Sequence, residues 1–432
     1  ESIHSLLPGE IAIFNQNTFE LSRFIKKQNI HLDIDEVYKS RSLVKIEDQL
    51  KASVEKRMIS DVPIKYLLSG GVDSSLISMY ASSISEHKID TYFLKYSDSY
   101  DSFEDIAMEV AKLINSNHRM VDMKPPKNFG DSIAQMIEIF DEPFGDYSAL
   151  PSYELYKSIS KHSKVVIAGD GADEIFGGYV DTKLFYLKDK IKRFVFHSES
   201  EKLLNYIYKL VNSSRKIERF IGFFMGLIMC SDENMMLSVY RGGWNKHLRK
   251  TYMSESGYLK TLKNDSEEVE QEDFLNSGSN NLERYLNYGL KRLSYDFLVK
   301  VDRTSMANSL EVRSPFLDTS MIENINNCKP SNLVDIFNTK KELKKILNNS
   351  ELGFLTNIKK KGFTPPLEKW ILSSSSLKLI SDLSKDKDSI VAQLFNLQKL
   401  KDIFEDKESI LGNSTRIWNL LVLDNWHKGK YR

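Results

Sequence analysis

LLSGGVDSS, at residues 67–75, is the stretch that decides the fold of this 432-residue chain. It overlaps the apolar run 62–68 and precedes the amphipathic run 76–84, which predicts a strand, a glycine turn and the start of a helix. Such a turn points backbone N–H groups and a helix N-terminus at an anion. Three serine hydroxyls would add donors, and the Asp73 carboxylate stands where a magnesium ion would bridge protein and phosphate oxygens. No Gly-Lys-Ser/Thr sequence ends the turn, so it is not the loop that holds a nucleotide for γ-phosphate transfer. An ordinary polar turn is the alternative.

Apolar strands alternate with amphipathic helices over the hundred residues around this turn. The predicted strands are 64–68, 90–95, 118–123 and 164–168, and the predicted helices are 46–59, 76–85, 104–115, 128–140 and 153–161. This alternation predicts an α/β fold with a doubly wound parallel sheet. Ligands of such sheets bind beyond the carboxyl ends of the strands, so the turns after residues 68 and 168 should share one site.

A second motif, GDGADEIFGGY, covers residues 169–179 and follows the last of these strands. Asp170, Asp173 and Glu174 are three acids within five residues, and carboxylates so crowded repel one another unless a cation holds them. Magnesium bound to a pyrophosphate would supply that charge. A solvated acidic loop that caps a helix through Asp173 is the alternative. The presence of the serine turn at the same sheet edge favours the magnesium hypothesis.

Strand signals fade beyond residue 180. Periodic stretches at 282–302 and 391–404 predict helices, the polar stretch 254–281 predicts a mobile loop, and the apolar run 220–230 predicts a buried helix. KVDRTSMA (300–307) and LEVRSPFLD (310–318) place charges next to Pro-Phe-Leu. We expect most of these charges to form buried ion pairs that hold the helical part to the sheet.

Composition narrows the class of protein. The chain is 41% hydrophobic and 28% charged, and its 60 Lys and Arg balance its 60 Asp and Glu, so no net charge favours nucleic acid or an acidic membrane as a partner. Cys230 and Cys328 lie far apart without metal-ligand spacing, which indicates a reduced, cytoplasmic compartment. The longest apolar run is about half of the ~20 residues that a membrane-spanning helix needs.

These motifs, in this order, resemble the synthetase domain of the asparagine synthetase family. DEPF (141–144), KGFTPP (361–366) with Trp370, and WNLL (418–421) resemble further signatures of that family. The turn at 67–75 is similar to the pyrophosphate loop of the PP-loop ATP pyrophosphatases, which share an adenine nucleotide alpha hydrolase-like fold. The resemblance implies a PP-loop α/β core at 46–180 and a large, mainly helical part at 181–432. Residues 1–45 would be the end of a glutaminase domain, through LLPGE (6–10), plus a linker.

The resemblance implies an ATP-dependent ligase with Mg²⁺ as cofactor. It would adenylate a carboxylate, with L-aspartate as the first candidate, release pyrophosphate, and transfer ammonia to give asparagine and AMP. Asp73 and Asp173 match the magnesium ligands. Asp170 matches a base that helps ammonia attack, and Lys340 (or Lys341, in the alternative register) matches a lysine that neutralises phosphate charge. The residues implied to bind ATP are Leu67, Ser69, Gly70, Gly71, Asp73, Ser74, Ser75, Leu94, Gly169, Asp170 and Gly171.

Four features depart from the family's pattern. This chain lacks the glutaminase domain with its N-terminal cysteine, so ammonia would come from a removed or separate glutaminase domain, a partner or free ammonia. Asp170 stands where asparagine-making members commonly have Glu, and Phe103 stands where the family often has an acid. Tyr147 replaces an arginine that lies near aspartate in some members. The loop 142–151 is similar to relatives found with surface-polysaccharide genes. An amidotransferase for a sugar uronate, and a non-catalytic ATP-binding relative, therefore stay open, as does a homodimeric assembly.

Overall fold

The protein is described by a computed structural model. It covers residues 6, 8, 10–18, 20–25, 45–97, 102–191, 203, 206–207, 210, 216–229, 243–263, 266–360 and 362–431. Within these residues, no helix is both long enough and apolar enough to cross a lipid bilayer.

A five-stranded parallel sheet forms the centre of the fold. Its strands are ordered β5-β4-β3-β6-β7, and a separate antiparallel hairpin pairs β1 with β2. The order reverses beside β3, which is the place where doubly wound sheets bind ligands. The strands are β1 (Glu10–Asn15), β2 (Glu20–Ile25), β3 (Ile64–Leu67), β4 (Asp90–Tyr96), β5 (Asn117–Met123), β6 (Val165–Ile167) and β7 (Glu311–Arg313). This confirms the predicted α/β class and the four predicted strands, whereas the edge strand β7 was not predicted.

Helices cover both faces of the sheet and form most of the chain beyond β6. Those before residue 192 are α1 (Ile46–Arg57), α2 (Val72–Ile84), α3 (Ser102–Leu113), α4 (Phe129–Phe140), α5 (Ala149–Ile159), α6 (Ala172–Phe176) and α7 (Asp181–Ile191). Those after it are α8 (Lys216–Met229), α9 (Lys246–Tyr252), α10 (Glu255–Leu262), α11 (Ser266–Leu275), α12 (Asn281–Tyr295), α13 (Phe297–Met306), α14 (Thr319–Asn326), α15 (Pro330–Leu333), α16 (Lys341–Asn348), α17 (Leu367–Trp370), α18 (Ser374–Lys385), α19 (Ile390–Leu394), α20 (Leu397–Phe404), α21 (Lys407–Gly412) and α22 (Ser414–Tyr431). Short 3₁₀ turns lie at Pro315–Leu317 and Gly353–Asn357.

Two hydrophobic cores lie on opposite faces of the sheet. Neighbouring residues of β6 belong to different cores, because successive side chains of a strand point to opposite faces of the sheet. Ile167 belongs to the core that contains Leu68, and Val166 belongs to the core that contains Trp418. The predicted signature residues Trp370 and Trp418 are both buried in this second core.

One sequence prediction in the helical part was wrong and two were confirmed. The polar stretch predicted as a mobile loop contains α10 and α11, because Ser254 accepts a hydrogen bond from Gly257 N–H and caps α10. The helices predicted at 282–302 and 391–404 are present, and each stretch contains two of them, which meet at Asp296 and at residues 395–396.

The apolar run predicted as a buried helix forms α8, and only one side of that helix is buried. Leu227 is buried in a third hydrophobic cluster with Phe185 of α7, whereas Ile217 and Phe220 are exposed. The run is therefore an amphipathic helix of the kind that packs one face against its neighbour. Cys230, at the end of this run, lies outside the described residues.

Three of the six charged side chains of the third motif contact distant segments, so the expectation that most of them form buried ion pairs is met only in part. Lys300 of α13 pairs with Asp146 at 2.8 Å, and Arg57 of α1 pairs with Asp318 at 2.6 Å. Arg313 of β7 donates hydrogen bonds to the backbone carbonyl oxygens of residues 57 and 59. Asp302, Arg303 and Glu311 are exposed, and Glu311 pairs with Arg313 of its own strand.

Candidate active site

The two predicted loops meet at the carboxyl ends of adjacent strands. The serine–glycine loop (residues 67–75) follows β3, the acidic loop (residues 169–179) follows β6, and these strands pair in parallel. A Cβ atom added to Gly169 would lie 3.2 Å from Asp73 Cβ and 3.3 Å from Ser74 N. Both distances are tighter than ordinary van der Waals contact, so a larger residue here would push the two loops apart. The structure therefore brings the two motifs together, as the sequence analysis expected.

The serine–glycine loop is shaped as an anion-binding turn. Gly70 has φ +73°, and a Cβ atom there would lie about 3 Å from the backbone of α3. Ser69 N–H donates to Ser74 Oγ at 3.0 Å, which closes the turn before α2 begins at Val72. Ser75 is fully buried, and its Oγ has no hydrogen-bond partner among the described residues. The turn thus directs a helix N-terminus towards the site.

Lys340 joins the two loops. Its Nζ lies 2.5 Å from Asp73 Oδ2 and 2.6 Å from Asp173 Oδ1, and the residue is only 5% exposed. Its backbone is left-handed at φ +52° and precedes α16 directly, which turns the side chain into the site. Lys341 instead pairs with Asp335 at 3.2 Å. Of the two lysines that the sequence left open, Lys340 is therefore the one at the site.

Lys360 is a second lysine at the site, and it was not predicted from the sequence. Its Nζ lies 2.5 Å from Asp173 Oδ2 and 3.9 Å from the centre of the Tyr179 ring. Tyr179 in turn donates a hydrogen bond to Glu174 at 2.5 Å. Three lysines in a row, at 359–361, are typical of a solvated surface. The KGF signature that begins at the third lysine was the one indication that this segment could lie at the site.

The pKa values of the two aspartates move in opposite directions because they have different numbers of lysine partners. Burial raises the pKa of Asp73, which Lys340 opposes. Burial would also raise the pKa of Asp173, but Lys340 and Lys360 together outweigh it and lower that pKa. Burial would lower the pKa of Lys340, but the two aspartates outweigh burial and raise it. Lys340 is therefore a cation at neutral pH.

Asp170 lies at the other end of the acidic loop, near a second ion pair. Its Oδ2 is buried and finds no hydrogen-bond donor among the described residues, and burial raises the pKa of this carboxyl, against the opposing effect of Lys300. Lys300 Nζ donates to Asp146 Oδ2 and to Ser148 Oγ, both at 2.8 Å. A raised pKa makes the carboxylate a better proton acceptor, which suits a general base.

The two aspartates suit magnesium only if a ligand completes the coordination. Among the described residues, no group of three or more His, Cys, Asp or Glu side chains is arranged to hold a metal ion. Asp73 Oδ1 is buried without a hydrogen-bond partner there, so a carboxylate oxygen faces the site. Magnesium is commonly held by one or two carboxylates together with phosphate oxygens and water. The donor set therefore fits Mg²⁺ bound to a polyphosphate.

Comparison with known proteins assigns a family to this fold and site. The family model for asparagine synthase matches residues 45–428. The chain belongs to the asparagine synthase family. This confirms the predicted resemblance to that family.

Named relatives in this family are similar to most of the chain. The glutamine-hydrolysing asparagine synthetase 1 of Bacillus subtilis (strain 168) is 26% identical over 397 residues, which are 88% of this chain and 58% of that protein. A putative glutamine-hydrolysing asparagine synthetase 2 of Methanocaldococcus jannaschii is 27% identical over 332 residues, which are 69% of this chain and 58% of that protein. A glutamine-hydrolysing asparagine synthetase of Zea mays is 32% identical over 147 residues, which are 31% of this chain and 25% of that protein. The chain spans little more than half the length of the first two relatives.

The predicted nucleotide side of this asparagine synthase family member lies around the carboxyl ends of β3, β4 and β6. Leu67 at the end of β3 and Leu94 on β4 both pack in the core that contains Trp418. Gly171 has φ +87°, and a Cβ atom there would lie 2.3 Å from Leu317 Cδ2, so glycine is required at the turn into α6. All the predicted ATP-binding residues lie on β3, β4 and the two loops, although their contact with a nucleotide stays a prediction.

The departures from the family pattern lie at two places. Tyr147 is half-buried beside Asp146 and forms a hydrogen bond with the Thr415 side chain, so the loop 142–151 packs against α22. Phe103 lies in the first turn of α3, and its carbonyl oxygen would be 3.1 Å from a Cβ atom on Gly70. Glu104, which follows it, pairs with Lys95 at 2.7 Å. The preceding acid, Asp101, lies outside the described residues.

Proposed function

We propose that this chain is an ATP-dependent amide-forming ligase that adenylates L-aspartate and transfers ammonia to it. The products would be asparagine, AMP and pyrophosphate. The observation that carries the proposal is Lys340, buried between Asp73 and Asp173 where the serine–glycine loop and the acidic loop meet. Two carboxylates, two lysines and a helix N-terminus at one sheet edge are the groups that a leaving pyrophosphate requires.

Each loop has its own task in this proposal. Backbone N–H groups and hydroxyls of residues 69–75 hold the pyrophosphate, and Leu67, Leu94 and Gly169 contact the adenosine. Asp73 and Asp173 hold Mg²⁺, which neutralises the charge that develops on the phosphate oxygens. Lys340 and Lys360 would donate to the same oxygens. Asp170, with its raised pKa, would accept a proton as ammonia attacks the activated carboxylate.

Ammonia is the second substrate in this proposal, and glutamine is its proposed source. The matched relatives are named as glutamine-hydrolysing enzymes. In this chain we propose that ammonia reaches the site from a glutaminase domain, either joined to residues 1–45 or carried by a separate partner. Free ammonia should replace glutamine in an assay of the chain by itself.

The test measures AMP and pyrophosphate formation from ATP with Mg²⁺, ammonium and L-aspartate. We expect product with the wild-type chain and a loss of about 100-fold or more in Asp73→Asn and Lys340→Met, since each removes a group that faces the developing charge. Lys341→Met is the matched control, because Lys341 is the next residue and pairs with Asp335 outside the site. Asparagine formation by Lys340→Met at the wild-type rate would refute the assigned role of Lys340.

A second candidate keeps the chemistry and changes the acceptor to another carboxylate, such as a sugar uronate. Two observations favour it: Lys300 is already paired with Asp146, and Tyr147 stands where some members have an arginine. Neither of these two side chains supplies a free cation for the second carboxylate of aspartate. AMP formation with a uronate and none with L-aspartate would select this candidate. A non-catalytic relative would bind MgATP and raise the melting temperature without forming AMP; at ~100 times its dissociation constant a ligand adds ~2.7 kcal/mol of stability.

A further inference from the structure

Four charged side chains form a continuous row across the site. The row runs Asp73, Lys340, Asp173, Lys360, with successive N–O distances of 2.5, 2.6 and 2.5 Å. We call it the lysine–aspartate row. Two carboxylates and two ammonium groups alternate in it, so their formal charges cancel.

The surrounding backbone holds Lys340 in the middle of this row. Lys340 is 5% exposed and starts from a left-handed backbone. A Cβ atom on Gly178 would lie 1.9 Å from Asp173 Oδ1 and 2.1 Å from Lys340 Cε, so the acidic loop has room for the lysine only because residue 178 is glycine. The backbone before α16 and the acidic loop therefore together determine the position of the Lys340 ammonium group.

We propose that the Lys340 ammonium occupies the place of the metal ion between Asp73 and Asp173, so that a divalent cation binds here only together with a polyphosphate. This inference rests on the proposed function only in taking these two aspartates as the magnesium ligands. Polyphosphate oxygens would receive the Lys340 and Lys360 ammonium groups, and the two carboxylates would then turn to the cation. When the metal–nucleotide complex binds, lysine–phosphate and carboxylate–cation contacts would thus replace the ion pairs of the row.

Charge balance explains why the cation alone would be excluded. A free divalent ion meets a row whose formal charge is zero, and it would have to displace a buried ammonium that gains no new partner. Leaving a buried charge without its partner is strongly unfavourable. The triphosphate brings about four negative charges at neutral pH, enough to satisfy both lysines and the metal. The metal would be shared between the carboxylates and the phosphate, so each lysine and each carboxylate would still contact an opposite charge.

The test uses Mn²⁺ as the metal probe and follows its binding by electron paramagnetic resonance on the folded chain, without any acceptor. We expect wild type to bind Mn²⁺ only when an ATP analogue with a methylene group between the α and β phosphates is present. Lys340→Met should bind Mn²⁺ by itself about tenfold or more tightly than wild type, because it removes the competing charge in contact with both carboxylates. Lys341→Met, the matched control, should behave as wild type.

The outcomes separate this inference from the proposed reaction. If wild type and Lys340→Met bind Mn²⁺ alone with equal affinity, the competition is refuted, whatever the activity with L-aspartate. If neither protein binds Mn²⁺ with the analogue, the two aspartates are not metal ligands and the inference also fails. Circular dichroism establishes that each variant is folded. If Lys340→Met is unfolded, Lys360→Met is used in its place; its Asp173 loses one of two lysines, so tighter Mn²⁺ binding by itself is again expected and unchanged binding refutes the inference.

Discussion

At the scale of single residues, Asp181 shows how burial beside the site makes stability depend on pH. It opens α7, and burial raises the pKa of its carboxyl to about 6, against the opposing effect of Lys360. The unfolded chain loses this proton near pH ~4, so between about pH 4 and 6 the folded state alone keeps it. The contribution of Asp181 to stability is therefore complete below pH ~4 and is lost as the pH rises to about 6.

We predict that Asp181→Asn removes this loss. From pH 4.5 to pH 8, the free energy of unfolding of the variant should change by about 1–2 kcal/mol more favourably than that of wild type. This amount allows for partial exposure of the carboxyl. Urea unfolding at the two pH values measures it. Asp388→Asn, at an exposed position, is the control and should show no such gain. Equal pH dependence in wild type and Asp181→Asn would contradict the prediction.

The assignment of Lys340 over Lys341 is also a matter of single residues. Both are lysines in a lysine-rich segment, so residue type and spacing are the same for each. The left-handed backbone at Lys340 sends the two side chains to different places, one between the aspartates and the other to Asp335. Sequence patterns carry no signal for a left-handed lysine, because that conformation is unusual for any residue with a side chain.

At the scale of elements, α12 contains a glycine that its packing does not require. Nothing lies within 4 Å of a Cβ atom placed on Gly289, in the interior of this helix. Gly177, at the end of α6, is the opposite case, with φ +65° and a Cβ position 2.5 Å from Val334 Cγ2.

We predict that Gly289→Ala stabilises the protein by about 0.5–1 kcal/mol, because alanine loses less backbone entropy in a helix. Gly177→Ala, the matched comparison, should destabilise it, since that position is both left-handed and crowded. Urea unfolding of the two variants beside wild type measures both effects. A loss of stability in Gly289→Ala would show that this helix interior has contacts that the glycine satisfies.

Helix ends were the least predictable elements. Asn280 caps α12 by accepting a hydrogen bond from Glu283 N–H, and Ser254 caps α10 in the same way. These residues lie in the polar stretch that suggested a loop, because Ser and Asn favour turns and helix caps alike. The strands were more predictable, since each buried strand is a short apolar run bounded by polar residues.

At the scale of the whole molecule, one buried ion pair joins the helical part to the loop beside the site. Lys300 of α13 is 8% exposed and pairs with Asp146, whose pKa is lowered: burial would raise it, and Lys300 with Ser148 outweighs burial. Lys345 and Glu342 on α16 form an ion pair of the same type in which the lysine is exposed.

We predict that Lys300→Met destabilises the protein by about 3 kcal/mol, because Asp146 would remain buried without its cation. The double variant Lys300→Met with Asp146→Asn should recover most of that loss. Lys345→Met, the exposed control, should cost less than about 0.5 kcal/mol. Unfolding in urea measures all three, and a double variant no more stable than Lys300→Met would show that the pair acts by packing rather than by charge.

The sequence by itself determined the α/β class, the four central strands, and the meeting of the serine–glycine and acidic loops at one sheet edge. It could do so because strand, turn and helix are local patterns, and parallel strands place their carboxyl ends together. The family could be recognised for the same reason, from motifs that are contiguous in the chain. Only the tertiary structure decided that Lys340 and Lys360 lie beside Asp173, 167 and 187 residues away along the chain. It also decided that β7 completes the sheet and that Lys300 faces Asp146. Those contacts depend on how distant segments pack around a core. The local sequence pattern of one segment does not specify which other segment it contacts.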